Sequence, residues 1–173
     1  GRQMGNAYAG KAASAEDAST VFFNPAAMTT FKSFNVVAGF EVLSSSSSFS
    51  DEGSTGSPFL PASGATGGDG GNPGGVTFLP QIYFVAPLAD RWAVGFGVNA
   101  PFGLTTEYNE TWKGRYHAVK SMLEVVDVMG TVAFRLNENL SLGAGIDLQM
   151  AKAELSNMVD FGSIFAQQGT IPQ

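Results

Sequence analysis

The stretch Trp92–Gly103 reads WAVGFGVNAPFG, and its first eight residues alternate between two kinds of side chain. One face carries Trp92, Val94, Phe96 and Val98, and the other carries Ala93, Gly95, Gly97 and Asn99. A period of two is the signature of a β-strand. A strand with one large apolar face suits a soluble sandwich, where that face meets a core, or a membrane barrel, where it meets lipid.

The alternation ends where a proline and a glycine follow each other closely. Pro101 cannot donate to a ladder of backbone hydrogen bonds, and Gly103 lets the backbone bend. We therefore expect an interruption of the strand that leaves backbone groups unpaired. The residues concerned are Ala100, Pro101, Phe102 and Gly103.

The composition restricts the class of protein. The chain has 173 residues with 22 glycines and 14 phenylalanines, and only 14% of the residues are charged. A formal net charge of −6 argues against nucleic acid as a partner. There is no cysteine and only one histidine, His117, so we expect no disulfide, no metal, no cofactor and no catalytic triad.

Four further segments alternate in the same way, at 34–43, 77–87, 126–136 and 140–151. The connections between the five strands are in turn long, short, long and short, which is typical of outer-membrane barrels. The long ones span 44–76 and 104–121, and the Ser/Gly-rich composition of the first predicts a mobile loop without a packed core. We therefore predict an all-β fold with five antiparallel strands of a transmembrane β-barrel.

The organisation along the chain follows from these patterns. Residues 1–32 show no sustained alternation, and we interpret them as a compact irregular segment, the alternative being a flexible tail. The strands occupy 33–155, and 156–173 begin an external loop. Because a membrane barrel needs about eight strands and an open edge is not viable in lipid, we expect these strands to be the first part of a longer barrel or to pair with other chains.

Three stretches carry a resemblance to a known family: AEDASTVFFNPAAM from Ala15, TFLPQIYFVAPLADRWAVGFGVNAPFGLTTEY from Thr77, and RLNENLSLGAGIDLQMAKAEL from Arg135. Together they resemble the FadL/TodX family of outer-membrane transporters of hydrophobic compounds. The resemblance implies a barrel of about 14 strands, monomeric when complete and surrounded by outer-membrane lipid. It also implies that residues 1–32 are a hatch in the lumen, and that ligands leave sideways through a kink in the third strand, at Ala100–Gly103.

The residues that we expect along the ligand path form three groups, each with ordinary packing as the alternative. Those of the hatch are Phe22, Phe23, Asn24, Pro25 and Ala26. Those of the kink are Ala100, Pro101, Phe102 and Gly103. Those beyond the last strand, at roughly helical spacing, are Met158, Phe161, Ile164 and Phe165, a candidate surface for first capture of the ligand.

One position departs from the family pattern. Members that carry fatty acids are expected to hold the carboxylate with a basic residue near the end of the fifth strand, where this chain has Asn157, with Lys152 nearby. This departure favours neutral hydrocarbons over long-chain fatty acids. We thus expect a passive transporter of hydrophobic small molecules rather than an enzyme. The alternatives are an outer-membrane lipid-modifying enzyme and a structural or adhesive β-domain.

Overall fold

The computed structural model describes residues 9–10, 12–13, 15–54 and 67–168. Five strands form one sheet in chain order, as predicted. The strands are β1 (Asn35–Ser44), β2 (Val76–Ala89), β3 (Trp92–Glu107), β4 (Lys120–Arg135) and β5 (Ser141–Ser156). The helices are α1 (Thr20–Phe23), a 3₁₀ helix (Pro25–Thr30) and α2 (Phe161–Gln167). Within the described ranges, no helix has the length and apolar character needed to cross a membrane.

The chain divides into two compact units. The first comprises residues 1–42, 78–103 and 124–151, and the second comprises 43–77, 104–123 and 152–173.

In the first unit, the two faces of the sheet differ as the alternation predicts. Phe40 and Phe78 are 66% and 65% exposed on one face, and their ring centroids lie 6.5 Å apart. On the other face, Tyr83 and Val85 are buried. An apolar face without a protein cover is what lipid requires of a membrane sheet.

The N-terminal segment covers the inner face of the first unit. Its residues Ala18, Val21 and Met28 form one core with five residues of the sheet. Those five are Tyr83, Val85, Ala93, Met129 and Ala133. The packing is close: an ideal Cβ built on Gly95 would lie 2.5 Å from both the Met28 sulfur and a Val21 methyl. The described part of this segment is therefore packed against the sheet and is not the flexible tail of the alternative interpretation.

Hydrogen bonds fix the segment at both of its ends. The Ala18 N–H donates to the Asn35 side-chain oxygen at 3.0 Å, where β1 begins. The hydroxyls of Thr29 and Ser141 lie 2.9 Å apart, which ties the 3₁₀ helix to the start of β5. These contacts hold α1 at a defined place on the sheet.

The predicted loop bounds need correction. β3 continues to Glu107 and β4 begins at Lys120, so the connection between them is shorter than 104–121. The strands extend beyond the alternating stretches because backbone pairing continues without the alternation. The Tyr108 N–H, just after β3, still donates to the Val119 carbonyl at 2.8 Å. At the other long connection, β1 ends at Ser44 and β2 begins at Val76.

The second unit contains its own small aromatic core, built around Trp112. This residue is buried, its indole stacks on Tyr108 with ring centroids 3.9 Å apart, and Phe49 meets it edge-on at 5.4 Å. Gly70, with φ of +82°, leaves no space for a side chain beside Trp112. The prediction that the Ser/Gly-rich loop lacks a packed core is therefore wrong for its described residues. Glycine lets this loop approach an aromatic ring closely.

Candidate functional site

The expected interruption of the third strand is one-sided. Antiparallel pairs join β2 and β3 from Ala89–Trp92 to Gln81–Asn99. The next residues, Phe78–Pro80 of β2 and Ala100–Phe102 of β3, are all described, and no pair between these two stretches continues the register. β3 nevertheless remains a strand through Glu107. We call these six residues the open end. The expected break in β3 is wrong, because the strand is continuous and lacks pairs to β2 over this stretch. Farther along, the Glu107 N–H donates to the Pro73 carbonyl at 2.9 Å, on the side of β2 again.

Two prolines lie where the pairing stops. Continuing the register would place Pro80 opposite Ala100, and Leu79 opposite Pro101. Consecutive rungs of an antiparallel ladder alternate between hydrogen-bonded and non-hydrogen-bonded pairs, so one of these two prolines removes an N–H that would face the other strand. The sequence pattern indicated Pro101 but not Pro80. The available signal was the similar distance of the two prolines from the short turn between β2 and β3.

A cavity of about 260 Å³ lies beside the open end, entirely within the first unit. It brings together two groups of residues that the sequence singled out separately, the phenylalanines of α1 and the first residues of the kink. Phe22 and Phe23 meet edge to face, with ring centroids 4.9 Å apart. The residues lining the cavity are Phe22, Phe23, Glu41, Leu79, Pro80, Gln81, Tyr83, Asn99, Ala100 and Pro101.

The polar groups of this cavity lie at the last rung of the β2–β3 ladder. Asn99, only 5% exposed, pairs with Gln81 in the register. Its side-chain nitrogen donates to the Tyr83 hydroxyl at 2.9 Å. Its side-chain oxygen is buried and has no hydrogen-bond partner among the described residues. Glu41 of β1 adds a carboxylate to the lining. The alternation places Asn99 on the small and polar face of its strand, but it does not connect Asn99 with Glu41 and Gln81 in one site.

The remaining residues of the predicted hatch have a different place. Asn24 separates α1 from the 3₁₀ helix, and Pro25 opens that helix. Pro25 and Ala26 lie so close to Gly143 of β5 that a Cβ there would overlap their backbone. Asn24, Pro25 and Ala26 do not line the cavity. They position the two phenylalanines by turning the chain.

The remaining residues of the predicted kink also lie outside the cavity lining. Phe102 is 45% exposed, whereas Gly103 is buried. By alternation, the Phe102 side chain lies on the same face of β3 as Phe96 and Trp92, which are both exposed. This placement agrees with a side chain that faces lipid at the open end.

The third predicted group belongs to the second unit. Phe161 and Phe165 lie on α2, confirming the helical spacing, and their rings are 6.1 Å apart. Phe161 is 61% and Phe165 43% exposed. Met158 precedes the helix, and its N–H donates to the Arg115 carbonyl at 2.7 Å. The side-chain nitrogen of Asn157 donates a hydrogen bond to the Tyr116 carbonyl at 3.2 Å.

A second cavity, of about 420 Å³, lies in the first unit at the short turn between β2 and β3. Its lining is polar and basic, with Lys32, Arg91 and Arg135 facing a single acid, Asp90. In contrast, the described residues that line the first cavity include no lysine or arginine. The two cavities therefore differ in the charge of the groups that they can accept.

A sheet with an apolar outer face, a covered inner face and long loops is typical of a β-barrel protein of the outer membrane. The family model described as outer membrane protein transport protein (OMPP1/FadL/TodX) matches residues 1–172. The chain belongs to this family of outer-membrane proteins.

Similar proteins support this assignment. The chain is 36% identical over 158 residues to outer membrane protein P1 of Haemophilus influenzae, covering 88% of the chain and 34% of that protein. It is 30% identical over 166 residues to the long-chain fatty acid transport protein of Salmonella typhi, covering 95% and 36%. The fold is also similar to the crystal structure of a Pseudomonas aeruginosa FadL homologue, with a TM-score of 0.65 and 28% identity. The match covers 87% of this chain and 36% of the homologue's chain. The chain thus spans about a third of the length of the relatives it matches.

Proposed function

We propose that this protein is a passive outer-membrane transporter of hydrophobic small molecules, either long-chain fatty acids or aromatic hydrocarbons. The single observation that carries the proposal is the cavity at the open end, where the phenylalanines of α1 face the unpaired stretch of β3. The names of the Salmonella typhi and Escherichia coli relatives, long-chain fatty acid transport proteins, support the fatty-acid branch. The amide at Asn157 supports the neutral one.

The proposed path needs no energy input. An apolar molecule gains roughly 25 cal/mol for each Å² that it removes from water, so entry into an apolar cavity is favourable. Residues 1–32 act as a hatch, and a shift of Phe22 and Phe23 opens the cavity. The ligand then leaves between β2 and β3 at the open end, directly into lipid, and never crosses water on the way.

The proposed domains follow the same logic. Residues 1–32 are the hatch because their described part packs on the inner face of the sheet, which is the lumen side of a barrel. Residues 33–155 supply five strands of a barrel of about 14. Five strands are about a third of that number, and the chain spans about a third of its relatives' length. The apolar stretch with Met158, Phe161 and Phe165, within 156–173, is an external surface for first capture.

A cross-link across the open end tests the exit. Pro80→Cys and Ala100→Cys place two thiols at the first missing rung, and this chain has no cysteine of its own. The protein is expressed at full length in cells that lack an outer-membrane transporter of this family. Uptake of labelled oleate and labelled toluene is measured before oxidation, after it, and after reduction. We expect oxidation to reduce uptake at least tenfold and reduction to restore it.

The matched control is a cross-link one rung inside the ladder. Ile82→Cys and Val98→Cys lie at a pair that the register already joins, on the same face as Pro80 and Ala100. Oxidation of this pair should leave uptake unchanged. Equal uptake by both oxidised variants would contradict exit at the open end. Uptake of neither probe by the unmodified protein would contradict transport itself and favour the enzyme or adhesive alternatives.

A further inference from the structure

The second cavity, beside the short turn between β2 and β3, concentrates positive charge, and we call it the short-turn cavity. Its lining includes three cations, Lys32, Arg91 and Arg135, and one acid, Asp90, which leaves a net charge of +2. These three are all the lysines and arginines that the structure describes in the first unit. In a chain with a net charge of −6, this concentration of cations in one cavity indicates an anionic ligand.

The cations of this cavity lack ion-pair partners within the described part of the chain. No ion pair between described residues includes Lys32, Arg91 or Arg135. The backbone holds the two arginines next to each other, since the Arg135 N–H donates to the Arg91 carbonyl at 2.8 Å. Because like charges on neighbouring strands repel each other, an anion bound by both guanidinium groups would stabilise this arrangement.

The placement of the three cations suits a phosphate better than a carboxylate. Lys32 follows the 3₁₀ helix, Arg91 lies in the short turn, and Arg135 ends β4, so each comes from a different segment. A tetrahedral phosphate presents oxygens in several directions to such donors, whereas a planar carboxylate has only two oxygens. The cavity, at about 420 Å³, is also well above the roughly 150 Å³ that holds benzene, which leaves room for a group larger than a phosphate ion.

The outer wall of the short-turn cavity is apolar and aromatic. Trp92 lines the cavity at the start of β3, and its ring centroid lies 4.6 Å from that of Phe134. Trp92 and Leu88, which also lines the cavity, are both exposed. Outer-membrane barrels have girdles of aromatic residues at the level of the lipid headgroups, and their short turns lie on the periplasmic side. This wall therefore suits the acyl chains of a ligand whose phosphate lies among the cations.

We propose that the short-turn cavity binds an anionic glycerophospholipid, such as phosphatidylglycerol, from the periplasmic leaflet of the outer membrane. Lys32, Arg91 and Arg135 hold the phosphate, and the acyl chains lie along the outer face beside Trp92. The bound lipid keeps this end of the sheet at the level of the headgroups. Among the described residues, this cavity and the cavity at the open end share no lining residue, and the proposal goes beyond the transport function without depending on it.

Four probes test the parts of this ligand one by one. They are dihexanoyl phosphatidylglycerol, dihexanoyl phosphatidylcholine, sn-glycerol 3-phosphate and decanoate. Binding to the full-length protein in a neutral detergent is measured by calorimetry, with the heat of mixing into protein-free micelles subtracted. We expect phosphatidylglycerol to bind about tenfold more tightly than phosphatidylcholine, whose ammonium the cations repel, and than glycerol 3-phosphate, which lacks acyl chains. Its binding should weaken when the salt concentration rises from about 0.05 M to about 0.5 M.

Three variants and a control assign the binding to named residues, and heat-modifiable migration on gels checks that each is folded. Arg91→Gln combined with Arg135→Gln should weaken binding of phosphatidylglycerol about 25-fold, about fivefold for each cation, and leave decanoate unchanged. Arg91→Lys combined with Arg135→Lys keeps the charge and should retain the preference over phosphatidylcholine. Trp92→Leu should weaken phosphatidylglycerol several-fold without changing glycerol 3-phosphate. Lys152→Gln, at an exposed cation of the second unit, is the control and should change none of the probes.

Each alternative to an anionic lipid has its own outcome. Equal binding of the two lipids, or a preference for phosphatidylglycerol that survives the double glutamine variant, would overturn the proposal. Glycerol 3-phosphate that binds as tightly as phosphatidylglycerol would assign the cavity to a soluble phosphate. Decanoate binding that falls as much as that of phosphatidylglycerol in this variant would assign it to carboxylates. If the double glutamine variant does not fold, the order of the probes and the salt dependence in the unmodified protein decide the matter.

Discussion

The two halves of the β2–β3 interface differ although they belong to the same pair of strands. From Gln81–Asn99 to Ala89–Trp92 the strands are paired, and the sheet beneath them carries the core formed with Val21 and Met28. At the open end the pairing stops, and a cavity takes the place of a core. We therefore expect the paired half to contribute most to the free energy of unfolding, and we propose the open end as the site of ligand passage.

The difference arises from a few residues on each side of the last rung. On the paired side, Ala93 and Gly95 are small and allow the N-terminal segment to pack closely, and Gly97 leaves room for Tyr83 and Met129. On the open side, Pro80 and Pro101 lie on consecutive rungs, and one of them deprives the ladder of a donor. Unpaired backbone groups are unfavourable in lipid, so an open end persists only where something compensates for it. A passing ligand and the side chains around the cavity are the proposed compensation.

The largest expected effect comes from breaking the paired half. Gly95→Val would drive a side chain into Met28 and Val21, since even a Cβ at this position would lie 2.5 Å from both. We expect a loss of about 3 kcal/mol in the free energy of unfolding, at the upper end for overpacked cores. Urea unfolding of the full-length protein, followed by heat-modifiable migration on gels, measures it.

Gly130→Ala is the matched control for this change. Gly130 is exposed, and among the described residues no atom lies within 4 Å of its ideal Cβ. Its substitution should alter the free energy of unfolding by less than about 0.5 kcal/mol. Similar losses in the two glycine variants would show that the close contact between the N-terminal segment and the sheet is not a main source of stability.

The second prediction concerns a variant in which the open end should become paired. Pro80→Val combined with Pro101→Val restores a backbone N–H at both positions, whichever of the two faces the other strand, so the ladder should extend beyond Gln81–Asn99. We expect slower amide hydrogen exchange across 78–80 and 100–102, and uptake of labelled toluene reduced at least tenfold. Pro87→Val is the control, because Pro87 already pairs with Ala93 near the short turn. A double variant that gains amide protection and still transports at the normal rate would refute lateral exit.

The sequence was sufficient to predict the paired half because its signals are local. Large side chains such as Trp92 and small ones such as Ala93 alternate along a single strand, and the burial of the two faces follows from that order. The number of strands and the short turns were predicted from the same pattern. The bounds were less accurate, because backbone pairing extends β3 and β4 beyond the alternating stretches.

The open end could be predicted only in part because it depends on register. The role of Pro80 becomes visible only when β2 is aligned with β3, which composition and periodicity do not provide. The unpartnered oxygen of Asn99 likewise depends on the approach of Tyr83 from the neighbouring strand. The aromatic core around Trp112 was missed for a similar reason, since it needs Gly70 from a loop distant in sequence.

The third prediction concerns the aromatic side of the cavity. Phe22→Leu combined with Phe23→Leu removes an edge-to-face pair that lines the open end. Because such pairs contribute about 0.5–1.5 kcal/mol beyond their area, we expect the dissociation constant for toluene to rise about three- to tenfold. Phe40→Leu, on the exposed outer face, is the control and should leave it unchanged. Equal effects of the α1 variant and the Phe40→Leu control would mean that the α1 phenylalanines pack within the protein and do not contribute to binding of toluene.

The smallest expected effect lies in the second unit and should leave both halves of the interface unchanged. The Lys113 ammonium donates to the Asp51 carboxylate at 2.5 Å, and Ser54 adds further hydrogen bonds. These contacts, that with Lys113 first, hold the pKa of Asp51 well below its usual range. Because this pKa is lower in the folded state, the ionised Asp51 carboxylate stabilises the loop at pH values above the ordinary pKa of about 3.9. This stabilisation is lost as the pH falls below that value.

Hydrogen exchange at the Lys113 N–H, which donates to the Gly68 carbonyl at 3.0 Å, reports on this contact. After correction for the intrinsic rate, protection should decrease below about pH 4 in the unmodified protein. Asp51→Asn should remove this pH dependence and lower protection at neutral pH by no more than about twofold, since ion pairs that water can reach contribute little. Glu52→Gln, at the exposed neighbouring position, should preserve the decrease. An unaltered pH profile in Asp51→Asn would assign the decrease to another carboxylate.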